Sequence, residues 1–212
     1  MNNSNPILYT IRPGDTLYNY IYPYNDDATN DYWFSINQVN LLKLMNLVWE
    51  QHIMWTRMLL ISIAENLKDL DATQTRLLQN PKDIANVFRR YYGDSVANTI
   101  EKLLTEHLVI GKNLIVALKN NNQVLSKELT DKWYKNADDM AVTFSSINPF
   151  YPKEEVRNML YEHLRLTTNE VSARLKKDYA ADIKAYDLVQ KEALQMAKFF
   201  VDGIVRQFAD LF

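Results

Sequence analysis

From about residue 35 to the end of the chain, apolar side chains recur every three or four positions, the spacing of a helix with one buried face. The first such stretch runs over residues 35–70, where Leu41, Met45, Val48, His52, Trp55 and Leu59 make one stripe. A short segment over 73–79 follows. Asn80-Pro81-Lys82-Asp83 has the order of a helix start, a capping residue and then proline in the first turn, and Gly93 is placed to end that helix. The next spans 95–120, with Ile100, Leu103, His107, Ile110 and Leu114 in phase, and Asn120-Asn121-Asn122 stops it. Ser126 is a candidate cap for a helix to 143, and Pro152 with Glu154 and Glu155 opens a fifth that runs to 176. A last helix over 178–207 carries Tyr186, Val189, Ala193, Met196 and Phe200 on one face. The pattern predicts an all-α fold, an up-and-down bundle of about five to six helices.

Residues 1–34 depart from this periodicity and divide the chain into an irregular N-terminal segment and a helical domain over 35–212. Tyr9 to Arg12 suit a short strand, Pro13-Gly14 a turn, and Asp15 or Thr16 a helical cap. Tyr18, Tyr20, Tyr22, Tyr24 and Tyr32 crowd the remainder, and such side chains suit a protein interface, sugar stacking or a loop held across the bundle.

Composition narrows the function classes. The chain has 212 residues, 47% apolar, and at this length a core can bury roughly 70% of the unfolded surface without help from a disulfide or metal. With 24 Lys and Arg against 26 Asp and Glu there is no basic footprint for nucleic acid. No cysteine occurs, which excludes thiol catalysis and cysteine-based zinc sites. The start of the chain lacks the pattern of a signal peptide, and the most apolar stretch, 41–64, is interrupted by Lys43, Glu50, His52 and Arg57, so no transmembrane segment is expected. The expected location is the cytoplasm, with association to spore or envelope as a variant.

Candidate chemistry rests on the histidines, of which there are three, each following a glutamate or a Glu-Gln pair: Glu50-Gln51-His52, Glu106-His107 and Glu162-His163. Helical phase turns all three inward, His52 with Val48 and Leu59, His107 with Ile100 and Leu114, His163 with Val156 and Leu166. On the fifth helix Thr167 and Glu170 share the face of His163, and on the last Asp182 shares the face of Val189. Three imidazoles with Glu170 or Asp182 would hold a single divalent transition metal (Zn, Mn, Ni or Fe) with a position open to water or substrate. A buried histidine is equally satisfied by a carboxylate or carbonyl of a neighbouring helix. Glu106 and Glu162 lie one position before their histidines, about 100° around the helix, and so belong at the edge of the buried face. Glu50 and Arg57 are read as a buried acid–arginine pair that fixes packing.

The string Tyr9-Thr10-Ile11-Arg12-Pro13-Gly14-Asp15-Thr16-Leu17-Tyr18 resembles the opening of a LysM module, a βααβ domain that binds N-acetylglucosamine polymers. The resemblance covers ten residues and implies glycan contact at Gly14, Asp15, Thr16 and Leu17, in a LysM-like stub whose second half is replaced by the helix starting near Ser35. Trp49-Glu50-Gln51-His52 with Trp55-Thr56-Arg57, Thr105-Glu106-His107-Leu108 and Tyr161-Glu162-His163-Leu164 resemble an uncharacterised bacterial all-helical family over about residues 45–208. That resemblance implies a bundle. The label acetylglutamate kinase attached to some relatives does not fit, because four scattered glycines cannot build phosphate loops and Gly111-Lys112 lacks the upstream glycine of a P-loop.

Three functions follow as expectations: a structural or interaction protein at the envelope or spore with a protein partner, a metal-dependent enzyme with a three-histidine plus carboxylate centre, and a glycan binder through the N-terminal segment.

Overall fold

The computed structural model describes residues 35–212, and among these all regular structure is helical. The LysM-like stretch, with Gly14, Asp15, Thr16 and Leu17, and the tyrosine-rich loop lie outside the described residues. Six α-helices follow in order: α1 Ile36–Glu65, α2 Leu70–Leu77, α3 Asn80–Lys119, α4 Gln123–Ile147, α5 Lys153–Leu175 and α6 Tyr179–Gln207, closed by a 3₁₀ turn at Ala209–Leu211. The connections between α3, α4, α5 and α6 are three to five residues long, so consecutive helices lie side by side in up-and-down order. Neighbours run α1, α3, α4, α5, α6 and back to α1, and the short α2 packs on α1.

Local chemistry explains the boundaries, including those that differ from the sequence reading. Ser35 accepts from the Gln38 backbone and Gln38 returns a side-chain bond to Ser35, a capping box that starts α1. The helix stops at Glu65, five residues short of the expected end, because Asn66 turns left-handed with φ 55° and donates its N–H back to the last turn. The two helices expected on either side of Gly93 run on from one another as α3 and meet at a kink, where Gly93 leaves the helical conformation with φ 77° and ψ −179°, a region essentially reserved for glycine. α4 starts at Gln123 rather than after Ser126. Asn122 is its cap, accepting from the Leu125 N–H, while the Ser126 hydroxyl bonds back to the Asn122 carbonyl. Pro152 sits at the cap position of α5 rather than inside its first turn, and Asp178 caps α6 by accepting from Ala181.

The inward stripes are buried as the periodicity requires: Leu41, Met45, Val48, His52 and Leu59 of α1, and Val189, Ala193, Met196 and Phe200 of α6. The interior has two apolar clusters. The larger centres on Trp49, Phe88, Phe144, Tyr151 and Phe200, with Trp49 stacked on Phe200 at 5.9 Å and the Phe144 ring tilted against Phe200 at 4.5 Å. Gly203 leaves room there for the Tyr151 ring, since a Cβ at that position would lie 2.0 Å from it. The smaller cluster joins Leu59, Leu60, Ile63, Leu77, Leu108, Ile115 and Val171. In sequence, His52 falls between Trp49 of the first cluster and Leu59 of the second, His107 between Leu104 and Leu108, and His163 between Leu160 and Val171. Residues of both clusters thus flank the histidine on each of these three helices.

Candidate metal centre

α1, α3 and α5 each bring one histidine to a common point. The ring centroids are 6.1 Å apart for His52 and His107, 5.8 Å for His52 and His163, and 6.1 Å for His107 and His163. All three are buried, and one ring nitrogen from each lies within 4.8 Å of the other two. An ion at the centre of a triangle of that size would be at most about 2.8 Å from each nitrogen, against about 2.1 Å for a formed bond, so small ring rotations would be needed to complete a coordination shell.

The outer nitrogens fix which lone pairs remain. His52 Nδ1 is 2.9 Å from Asn80 Oδ1, and Asn80 Nδ2 donates to the Val48 carbonyl of α1 at 2.8 Å. That second bond sets the amide orientation, so Oδ1 is an acceptor, Nδ1 of His52 carries the proton, and Nε2 keeps its lone pair. Asn136 repeats the device from α4: its Nδ2 donates to the Leu103 carbonyl at 3.1 Å, and its side chain acts on His107 to favour the charged imidazole. Here the two groups stop short of a hydrogen bond, and both His107 Nδ1 and Asn136 Oδ1 are buried without a partner. His163 Nδ1 meets Glu192 Oε2 of α6 at 2.9 Å. Carboxylate or carbonyl oxygens behind metal-ligating imidazoles set the tautomer and raise ligand basicity in this way.

Burial holds His52 and His107 in the neutral form. It lowers the His52 pKa from 6.5 to about 4, with the neighbouring His163 adding to the shift and Asn80 opposing it. His107 is pushed well below the usual histidine range, by burial first, then by His163 and His52. Neutral imidazoles are the ligating form.

A cavity of about 30 Å³ adjoins the three rings, room for about two water molecules. Its walls are mostly apolar, with Leu59, Leu77, Ile115 and Val171 among them, and Gly111 brings the α3 backbone against Trp133, whose indole N–H donates to the His107 carbonyl at 3.1 Å. Half-buried Lys112 and exposed Thr168 carry the cavity to the surface between α3 and α5. Three threonines line it. Thr56 and Thr168 donate to the carbonyls of His52 and Leu164 one turn back, whereas the Thr167 hydroxyl is buried with no partner.

The two acids expected as ligands are engaged elsewhere. Glu170 meets Arg57 at 2.6 Å, and Asp182, fully buried, meets the same guanidinium at 2.9 and 3.1 Å and Arg174 at 3.3 Å. A planar guanidinium presents several donors to two carboxylates at once. Tyr186 stacks on Arg57, with the guanidinium 4.6 Å from the ring centre. Burial pushes the Glu170 pKa up to about 7 although Arg57 opposes the shift. Glu50, expected to pair with Arg57, is exposed instead, on the outer side of α1. Glu106 is exposed near Lys102, and Glu162 pairs with Arg165.

Asn80, Asn136 and Glu192 are the site residues that the sequence reading did not single out. Glu192 had a signal, since it lies three residues after Val189 and four before Met196 on the inward face of α6. Asn80 reads as a helix cap in sequence, but the cap position is Gln79 and the Asn80 side chain crosses to α1.

No protein-family model matches this chain, and no curated protein or solved structure matches it. No helix of the described residues is long and apolar enough to cross a membrane.

Proposed function

We propose that the bundle is a metal-dependent enzyme, with a divalent transition metal held by His52, His107 and His163 and a small substrate admitted through the cavity between α3 and α5. One observation carries the reading: three imidazoles from three helices present coordinating nitrogens within 4.8 Å of one another, at the edge of a cavity.

A bound ion supplies Lewis acidity at a position the protein leaves open. The chain's own residues do the remaining work. Glu192 orients His163 and strengthens it as a ligand, and Asn80 does the same for His52. The apolar walls limit water to one or two molecules near the rings. Among the described residues no carboxylate lines the cavity.

Elemental analysis of tag-free protein purified without chelator tests the reading. About one transition metal per chain is expected, with little in His107→Ala and normal helical circular dichroism in both. Glu192→Gln keeps the ligands and should lower metal affinity about 10- to 100-fold. Protein that stays empty after incubation with Zn, Mn, Ni and Fe(II) would return the histidines to core packing.

A further inference from the structure

We infer that the small molecule admitted beside the histidines is a neutral diatomic gas of the size and polarity of dioxygen. The inference names a substrate class for the metal reading and rests on it.

The layout of the cavity is the first reason. α1, α3 and α5 run past it in the same direction: His52 lies beside His107 and His163 at one level, and further along Asn66 meets Lys119 and Glu65 meets Arg174. On each helix the histidine comes first, and Leu59, Ile115 and Val171 follow about two turns later. The cavity therefore has two unlike ends. A guest meets imidazole rings at one and the smaller apolar cluster, with Leu77 of α2, at the other.

Hydrogen bonding is the second. The donors of the wall are committed: Thr56 and Thr168 to carbonyls one turn back, and the Trp133 indole to the His107 carbonyl. The Thr167 hydroxyl is itself buried away from the cavity surface. A water at the apolar end would find none of the two to four polar partners that hold an ordered buried water, and a charged or hydrogen-bonding ligand would lose its hydration there without replacement. A neutral diatomic forfeits almost nothing. Size agrees, because about 30 Å³, space for two water-sized groups, accepts two bonded heavy atoms and excludes sugars, phosphates and tailed acids.

Dioxygen is paramagnetic, so methyl protons close to it relax faster, and this gives the test. Methyl-labelled full chain, metal-free and zinc-loaded, is compared under dioxygen and nitrogen pressure. Zinc has no redox chemistry, so the loaded protein reports entry alone. The methyls of Leu59, Ile115 and Val171 should show an enhancement several-fold above that of equally buried Ile84, Ile100 and Ile204, which lie outside the cavity. Val171→Phe fills the space and should bring Leu59 and Ile115 down to the level of the others. Val171→Ile adds a single methylene and should lower them partway, which keeps the test intact if the larger ring prevents folding. Uniform enhancement of all buried methyls overturns the inference, as do long-lived water signals at the Ile115 and Val171 methyls. Enhancement unchanged in both filled variants overturns the placement. Zinc content of the same samples separates the two readings: bound zinc without enhancement leaves the metal reading and removes the gas, whereas enhancement in protein that takes up no metal removes the metal reading and keeps the occupant of the cavity.

Discussion

His52, His107 and Glu170 titrate in opposite senses across nearly the same pH range, and this shapes the stability of the metal-free protein. A histidine whose pKa falls on folding contributes stability that is present above 6.5 and lost as pH falls toward the folded value, about 4 for His52, and His107 acts in the same direction. Glu170 is the reverse. Between 4.5 and about 7 the folded protein retains a proton that the unfolded chain has released, so its contribution is lost as pH rises through that window. Each group contributes a slope of at most about 1.4 kcal/mol per pH unit, and Glu170 offsets one imidazole. Urea midpoints of metal-free Glu170→Gln should therefore rise more steeply from pH 4.5 to 6.5 than those of the parent. An equal or shallower rise would contradict the burial of these groups. At this scale the sequence was informative about burial and uninformative about partners. Helical phase turns His52, His107, His163, Glu170 and Asp182 inward, and all five are buried. Which oxygen faces which nitrogen depends on residues such as Asn80 and Glu192, which come from other helices and are set by tertiary packing.

At the scale of the element, α3 carries both an unusual backbone position and a proposed ligand. Gly93 bends the helix in a conformation that other residues adopt only under strain, and a Cβ placed there meets nothing within 4 Å, so the requirement is purely conformational. Gly93→Ala should cost about 1–3 kcal/mol in denaturant unfolding while metal stoichiometry stays that of the parent. A neutral substitution would mean that α3 runs straight. The sequence marked Gly93 as a break because glycine there ends the regular pattern, and the backbone leaves the helical conformation at that residue. Caps were read with mixed success. Ser35 and Asp178 cap as their residue types suggest, whereas Ser126 and Asn122 are both good caps four residues apart, and the backbone takes the earlier one.

For the whole molecule, six helices and their order are legible in the periodicity, and their arrangement around the imidazoles is not. Periodicity fixes the face that each helix buries and leaves open which faces meet. Arg57 illustrates this: its position on α1 suggests a partner within the same helix, yet it closes on Glu170 of α5 and Asp182 of α6, and so ties three helices together beside the histidine layer. Residues 1–34, where the sugar-binding expectation lies, are outside the described residues.

The three imidazoles stand 55 and 56 positions apart along the chain, one on each of three helices. No single helix carries two of them, so an ion would have no local chelate within one helix to occupy before the bundle is assembled. In the proposed centre metal uptake would then follow folding, the ion passing between α3 and α5 near Lys112 and Thr168. Exchange would be gated by breathing of those helices. The loaded protein should surrender its metal to excess chelator at a rate that no longer rises with chelator concentration, because opening limits it, and sub-denaturing urea should accelerate the release. A loss that stays proportional to chelator would describe a site open to solvent on the surface.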